Sequence, residues 1–185
     1  MTPDTAARYG TVSRWLHWSM ALGFLWMFGS VLGADLTSDR RVQGMLRDGH
    51  KHVGSLLWVL VLLRGLWALA HARQRPASVT LMAKLGHWAL YALMIAIPSI
   101  ALLRQYGSGR AFSPLGLPFF PGFDQSEKID WMVKLGGLLH GELAWVLLAL
   151  IAGHVAMALW HRRTGHDDVL PRMMNVAPKG SAARR

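Results

Sequence analysis

The stretch Leu135 to Trp160, LGGLLHGELAWVLLALIAGHVAMALW, constrains this chain more than any other. It runs 26 residues with Glu142 as its only formally charged side chain. A bilayer crossing takes about 20 apolar residues, so the segment is long enough to span one. Within it lie His140 and His154, 14 positions apart. At about 1.5 Å and 100° per residue, they stand ~21 Å apart along a helix axis and within ~40° of one face. One helix therefore offers a nitrogen ligand near each side of a membrane, both aimed into the same bundle interior.

Three more apolar blocks precede it, so the fold class expected is all-α: an integral membrane four-helix bundle forming one domain over residues 1–185. The predicted spans are about 15–33, 50–70, 85–103 and 135–160, with Arg64 interrupting the second and Pro98 a predicted kink in the third. The first block resembles a signal peptide in its small residues near Gly33 and Ala34. It is long for a signal core and holds His17 and three Trp, so it reads as a retained span. Residues 34–51 read as a polar connection and 71–84 as a short basic turn. Residues 104–134 form a Gly- and Pro-rich loop with Trp131 and several Phe suited to the membrane interface, and 161–185 a basic tail.

With 52% apolar residues the chain is too hydrophobic for an ordinary soluble domain of its size. Its net charge of +10 sits outside the apolar blocks, and no basic face alternates with exposed aromatics, which argues against nucleic acid as partner. The absence of Cys excludes disulfides, iron–sulfur clusters and thiolate chemistry. Four spans put both termini on one side. That side, with the 71–84 turn, carries eleven Lys and Arg (Lys179, Arg184 and Arg185 among them), against eight on the other. Positive-inside counting places the termini in the cytoplasm.

Depth then sorts the histidines. His17 lies near the inner start of the first span, at the level of His154. His50 and His52 open the second span on the outer side, at the level of His140. Two imidazole pairs at two depths are what two bis-histidine haems stacked across a membrane require, with ligands from facing helices. Zinc fits less well, because its sites gather three or four ligands at one place. Gly54, Gly136, Gly137, Gly141 and Gly153, near these histidines, leave room for a macrocycle. His50 and His52 point about 200° apart on a helix, and spacing does not choose between them.

The chain resembles the bacterial cytochrome b561 family of small four-helix dihaem membrane proteins. The resemblance lies in YGTVSRWLHW (Tyr9 to Trp18), HKHVGSLLWVLVLLR (His50 to Arg64), LGHWALYALMIAIP (Leu85 to Pro98), and LHGEL, GHVAMALWH and DDVLPRMM between Leu139 and Met174. The family pattern has His-Trp in helix one and a His four residues before a Gly in helix two. Helix four has two His 14 apart and a third seven residues later. These fall on His17, on His50 with Gly54, on His140 with His154, and on His161. The resemblance selects His50 over His52 and implies an inner haem on His17 and His154 and an outer haem on His50 and His140. Asn175 departs from the family's usual proline, and the outer loop does not match.

What the resemblance implies is transmembrane electron transfer through two b haems between the periplasmic side and the membrane quinone pool, in a multi-pass protein of the bacterial inner membrane. The family includes superoxide oxidases, which pass electrons from superoxide to ubiquinone. The basic outer loops suit that role, since a positive field draws a small anion. The candidates are Arg40, Arg41, Arg47, Lys51 and Arg104, although any one of them also serves as a lipid-phosphate contact. For the quinone on the inner side the candidates are His161, His87, Lys84 and Arg14. A plain hydrogen bond between helices is the simpler role for His87. One alternative is a cytochrome b anchor serving a separate periplasmic redox protein. Another is a haem-free carrier or sensor. The partners expected are membrane lipid, quinone, and superoxide or that redox protein, with the chain a monomer or homodimer.

Overall fold

The computed structural model describes residues 1–165, 168–174 and 176. Asp167, Asn175, Lys179, Arg184 and Arg185, which entered the reading of the tail and its charge, lie outside the described residues. Four long helices form the structure: α1 (Thr11–Leu36), α2 (Arg40–Ala70), α3 (Leu81–Gly107) and α4 (Asp130–Thr164), followed by the short α5 (Leu170–Met173). Each of the four is long and apolar enough to cross a membrane. Large apolar side chains such as Leu22, Leu25, Leu66, Trp88, Leu138 and Trp145 stand exposed along them. Helices apolar on all sides are the form a chain takes in lipid, where every backbone polar group must be satisfied within the segment.

The helices outrun the apolar blocks, and the stretch 34–51 is not the connection its charges suggested. α1 continues to Leu36 and α2 starts at Arg40, because the Asp39 carboxylate accepts from the backbone N–H of Arg41 (2.8 Å) and Val42 (3.4 Å). The first two turns of α2 therefore extend the bundle beyond the apolar layer and carry Arg40, Arg41 and Arg47 with them. Thr80 caps α3 by accepting from the Ala83 N–H at 3.1 Å. Gly165, at φ 69°, ends α4 in the left-handed conformation that favours glycine. α3 passes through Pro98 as one helix, and the Ser99 hydroxyl donates to the Ile95 carbonyl at 2.7 Å.

The chain packs as two hairpins, α1 against α2 and α3 against α4, with a smaller contact between α2 and α3. Met20, Leu57 and Val61 are buried with Tyr91 and Met94 around them. Leu90, Ile97 and Leu147 form a second cluster with Phe24 and Leu143. Gly23 lets α1 approach α2, since a Cβ there would stand 2.6 Å from Leu57 Cδ2.

Both ends of the described chain meet at one end of the bundle. Asp4, 5% exposed, accepts from the Gly10 N–H (2.6 Å) and the Ser13 hydroxyl (2.7 Å), and Arg75 Nε lies 3.4 Å from it. Ser13 also accepts from the Trp67 indole at 3.0 Å. α5 straps across this end: the Tyr9 N–H donates to the Arg172 carbonyl and the Trp18 indole to the Met173 carbonyl, while Arg172 donates to the Ala77 carbonyl. The N-terminal segment, the α2–α3 turn and the tail are thereby tied into one cap.

Candidate functional site: two imidazole pairs across the bundle

α4 contributes one histidine to each of two pairs. His140, ten residues into α4, faces His50, ten residues into α2, with ring centres 6.2 Å apart at 78°. Fourteen residues further along α4, His154 faces His17 of α1 with ring centres 6.3 Å apart at 68°. The pairs join the hairpins across the bundle, each uniting a residue of α1 or α2 with one of α4.

Hydrogen bonds fix which nitrogen is available in the His50–His140 pair, named outer, with His17–His154 inner, after the orientation that the charge count predicts. His50 Nδ1 lies 3.3 Å from the Met27 carbonyl of α1, and His140 Nδ1 lies 3.2 Å from the Ile97 carbonyl of α3. A carbonyl only accepts, so in each ring Nδ1 carries the proton and Nε2 keeps its lone pair. Ligating histidines are oriented in this way, the distal nitrogen tied to a carbonyl and the proximal one free for metal. Ser30, buried beside His50, donates to the same Met27 carbonyl at 3.0 Å.

The spacing fits a metal between each pair. A metal–imidazole bond of about 2.0 Å, plus about 1.1 Å from nitrogen to ring centre, puts two trans rings ~6.2 Å apart. Both pairs meet that figure. His87 of α3 also approaches His154, at 5.3 Å, nearly an ångström too short for the same arrangement. Its Nδ1 donates to the Ala83 carbonyl one turn back in its own helix, at 2.6 Å, rather than to another helix. Among the described residues no three His, Cys, Asp or Glu gather as a metal-holding group.

His52 faces away from the bundle. Its Nδ1 accepts from the Leu115 N–H at 3.1 Å and anchors the outer loop, where Leu115 holds a left-handed conformation at φ 55°. The glycines near the histidines divide into two groups. A Cβ on Gly54 would stand 3.1 Å from Met27 Cε, and one on Gly136 would collide with the Arg104 side chain, so these two serve helix packing. Gly137, Gly141 and Gly153 have nothing within 4 Å of a Cβ position and leave open space beside the α4 histidines.

The outer basic residues are exposed on the first turns of α2 and the end of α3. Lys51 is held by Asp48 at 3.0 Å. Among the described residues neither Arg40 nor Arg41 forms an ion pair. At the inner end, Arg14 lines a cleft with Thr11, Trp15, Trp18, Met173 and Met174, where α5 meets α1. Lys84 lies exposed in the first turn of α3, and His161 half-buried two turns beyond His154.

Arg64 is the residue that sequence reading passed over. It appeared only as a break in the second span, yet its guanidinium lies 2.7 Å from His17 Nδ1 and donates through Nε to the Tyr91 hydroxyl at 3.0 Å. One signal was available: it stands 14 residues after His50, as His154 does after His140.

The chain is similar to known proteins over most of its length. Residues 8–175 match the family described as prokaryotic cytochrome b561. A protein of Escherichia coli (strain K12) named cytochrome b561 homolog 2 is 31% identical over 181 residues, covering 92% of this chain and 93% of that protein. Cytochrome b561 homolog 1 of the same strain is 28% identical over 137 residues, or 70% and 75% of the two chains. A Yersinia pestis protein named probable superoxide oxidase CybB is 25% identical over 173 residues, 90% of this chain and 96% of that one. Four membrane-length helices, histidines paired across them and a match over nearly the whole length lead to one conclusion: the chain belongs to the prokaryotic cytochrome b561 family, multi-pass membrane proteins of electron transfer that bind haem b.

Proposed function

We propose that this protein carries electrons across the bacterial inner membrane through two b haems, one on His50 and His140 and one on His17 and His154. The carrying observation is the pair of ring separations, 6.2 and 6.3 Å, about four helical turns apart on α4. Haem held at these positions supplies reversible one-electron carriage. The protein supplies the rest. The Met27 and Ile97 carbonyls hold the outer imidazoles in the ligating tautomer, and the open space at Gly137, Gly141 and Gly153 admits a flat group beside α4.

The reaction that fits best is oxidation of superoxide on the periplasmic side coupled to reduction of ubiquinone near the cytoplasmic side, with both termini cytoplasmic. Arg40, Arg41 and Arg104, exposed at the outer end, raise the local concentration of a small anion. Lys51 and Asp48 form a pair with no net charge and together add little. At the inner end His161, His87, Lys84 and Arg14 are the groups that donate hydrogen bonds or protons to a quinone carbonyl. The relative named probable superoxide oxidase supports this direction. The same exposed arginines suit an acidic periplasmic redox protein, which is the competing reading.

The test uses purified protein in liposomes containing ubiquinone, with superoxide generated outside. Haem reduction and ubiquinol formation that superoxide dismutase abolishes are the expected result. Haem that stays oxidised under superoxide, yet is reduced by a periplasmic redox protein, overturns the superoxide assignment in favour of the anchor.

A further inference from the structure

The two imidazole pairs are not prepared alike. In the outer pair both Nδ1 atoms donate to carbonyls. In the inner pair His17 Nδ1 faces Arg64, 2.7 Å away. A guanidinium has five donors and no acceptor, so His17 Nδ1 accepts and the ring's proton sits on Nε2. A ring in that state has no lone pair to give a metal through Nε2. Ligation by His17 requires the opposite tautomer, with the proton on Nδ1, and then Arg64 loses its acceptor.

The guanidinium needs a replacement. Arg64 lies in the apolar run LLWVLVLLRGLWALA of α2, where a cation is costly and needs a partner. Among the described residues no carboxylate pairs with it. Its other bond, Nε to the Tyr91 hydroxyl at 3.0 Å, holds the stem and leaves the terminal nitrogens to be used elsewhere. Its position is equally specific. At 14 residues beyond His50 on α2 it occupies the register that His154 holds beyond His140 on α4, so it stands at the depth of the inner pair and turned toward the same interior.

We infer that Arg64 is the anion-binding residue of the inner haem site. When His17 becomes a ligand, the guanidinium passes from His17 Nδ1 to a haem carboxylate, and Tyr91 keeps it there. A planar fork of donors matches a carboxylate better than an ammonium does. The retained positive charge favours the reduced haem, so Arg64 also raises the potential of the inner haem. This rests on ligation by His17 and His154.

The experiment is a redox titration and a resonance Raman spectrum of the purified haem-loaded protein, wild type against Arg64→Gln and Arg64→Lys. Haem content is counted in each. With two haems retained, Arg64→Gln is expected to lower the reduction equilibrium of one haem about tenfold, 59 mV for one electron, and to shift its propionate-bending band. Arg64→Lys recovers most of the potential while the band still moves, since the fork is lost. Two haems with an unchanged potential or an unmoved band in Arg64→Gln overturn the assignment and leave the ligand pairs standing. If Arg64→Gln loses the inner haem, Arg64→Lys decides: a moved band supports the pairing and an unmoved one refutes it. A wild-type protein lacking one haem refutes the ligand reading instead.

Discussion

His50 and His140 face each other at 6.2 Å, each anchored through Nδ1 to a carbonyl of a third helix, Met27 of α1 for one and Ile97 of α3 for the other. All four helices therefore converge on the outer pair, and none of its members is set by its own helix alone. The consequences for haem content, anion encounter and stability can each be measured.

The pairs lie at different depths, so they should fail independently. His50→Ala or His140→Ala is expected to lower haem content from two to one per chain and leave the inner haem's spectrum intact. His17→Ala should do the reverse. His52→Ala, whose ring holds the Leu115 N–H instead, should keep both haems. Loss of a haem in His52→Ala would contradict the choice of His50.

Steering should depend on the net charge of the outer end, to which Arg40 and Arg41 add two positive charges and the Lys51–Asp48 pair adds none. Arg40→Gln with Arg41→Gln is expected to slow superoxide oxidation several-fold at low salt, within the ~10- to 1,000-fold range of such focusing, and to flatten its dependence on ionic strength. Lys51→Gln with Asp48→Asn should change the rate little, because the pair carries no net charge. Asp48→Asn alone should raise it. Stopped-flow rates at several salt concentrations test all three, and a rate unmoved by Arg40→Gln with Arg41→Gln would count against steering.

The inner cap depends on a buried carboxylate. Asp4→Asn leaves an oxygen for one of its donors and withdraws the charge facing Arg75. A cost of about 1–3 kcal/mol is expected, read as a lower Tm in detergent. No change in Tm would mean that the N-terminal segment docks without this network.

Two glycines outside the haem region should respond in opposite directions. A Cβ at Gly107 collides with Met132, whereas one at Gly44 in α2 meets nothing within 4 Å. Gly107→Ala is expected to destabilise by about 1–3 kcal/mol through overpacking. Gly44→Ala is expected to stabilise by roughly 0.5–1 kcal/mol through helix propensity. Thermal melts of the two variants give the signs.

The four spans were legible because hydrophobic runs of bilayer length are hard to mistake, and the depth of each histidine followed from counting along them. Their ends were less legible. Hydropathy reports where the apolar layer stops, whereas α2 starts where Asp39 caps it, ten residues before His50. Spacing could not separate His50 from His52, because the answer lies in the path of the outer loop, which brings the Leu115 N–H to His52. Gly54 and Gly136 read as room for a macrocycle, but the Met27 and Arg104 side chains lie against them. Arg64 shows the same limit. Its partners His17 and Tyr91 come from two other helices, and pairing between helices is not written in the local pattern of any one of them.

A haem count with oxidised and dithionite-reduced spectra tests the central claim most directly. Two low-spin b haems per chain are predicted, each with a bis-histidine spectrum. A single haem in protein made with ample haem supply would contradict one of the two pairs, and none would contradict both.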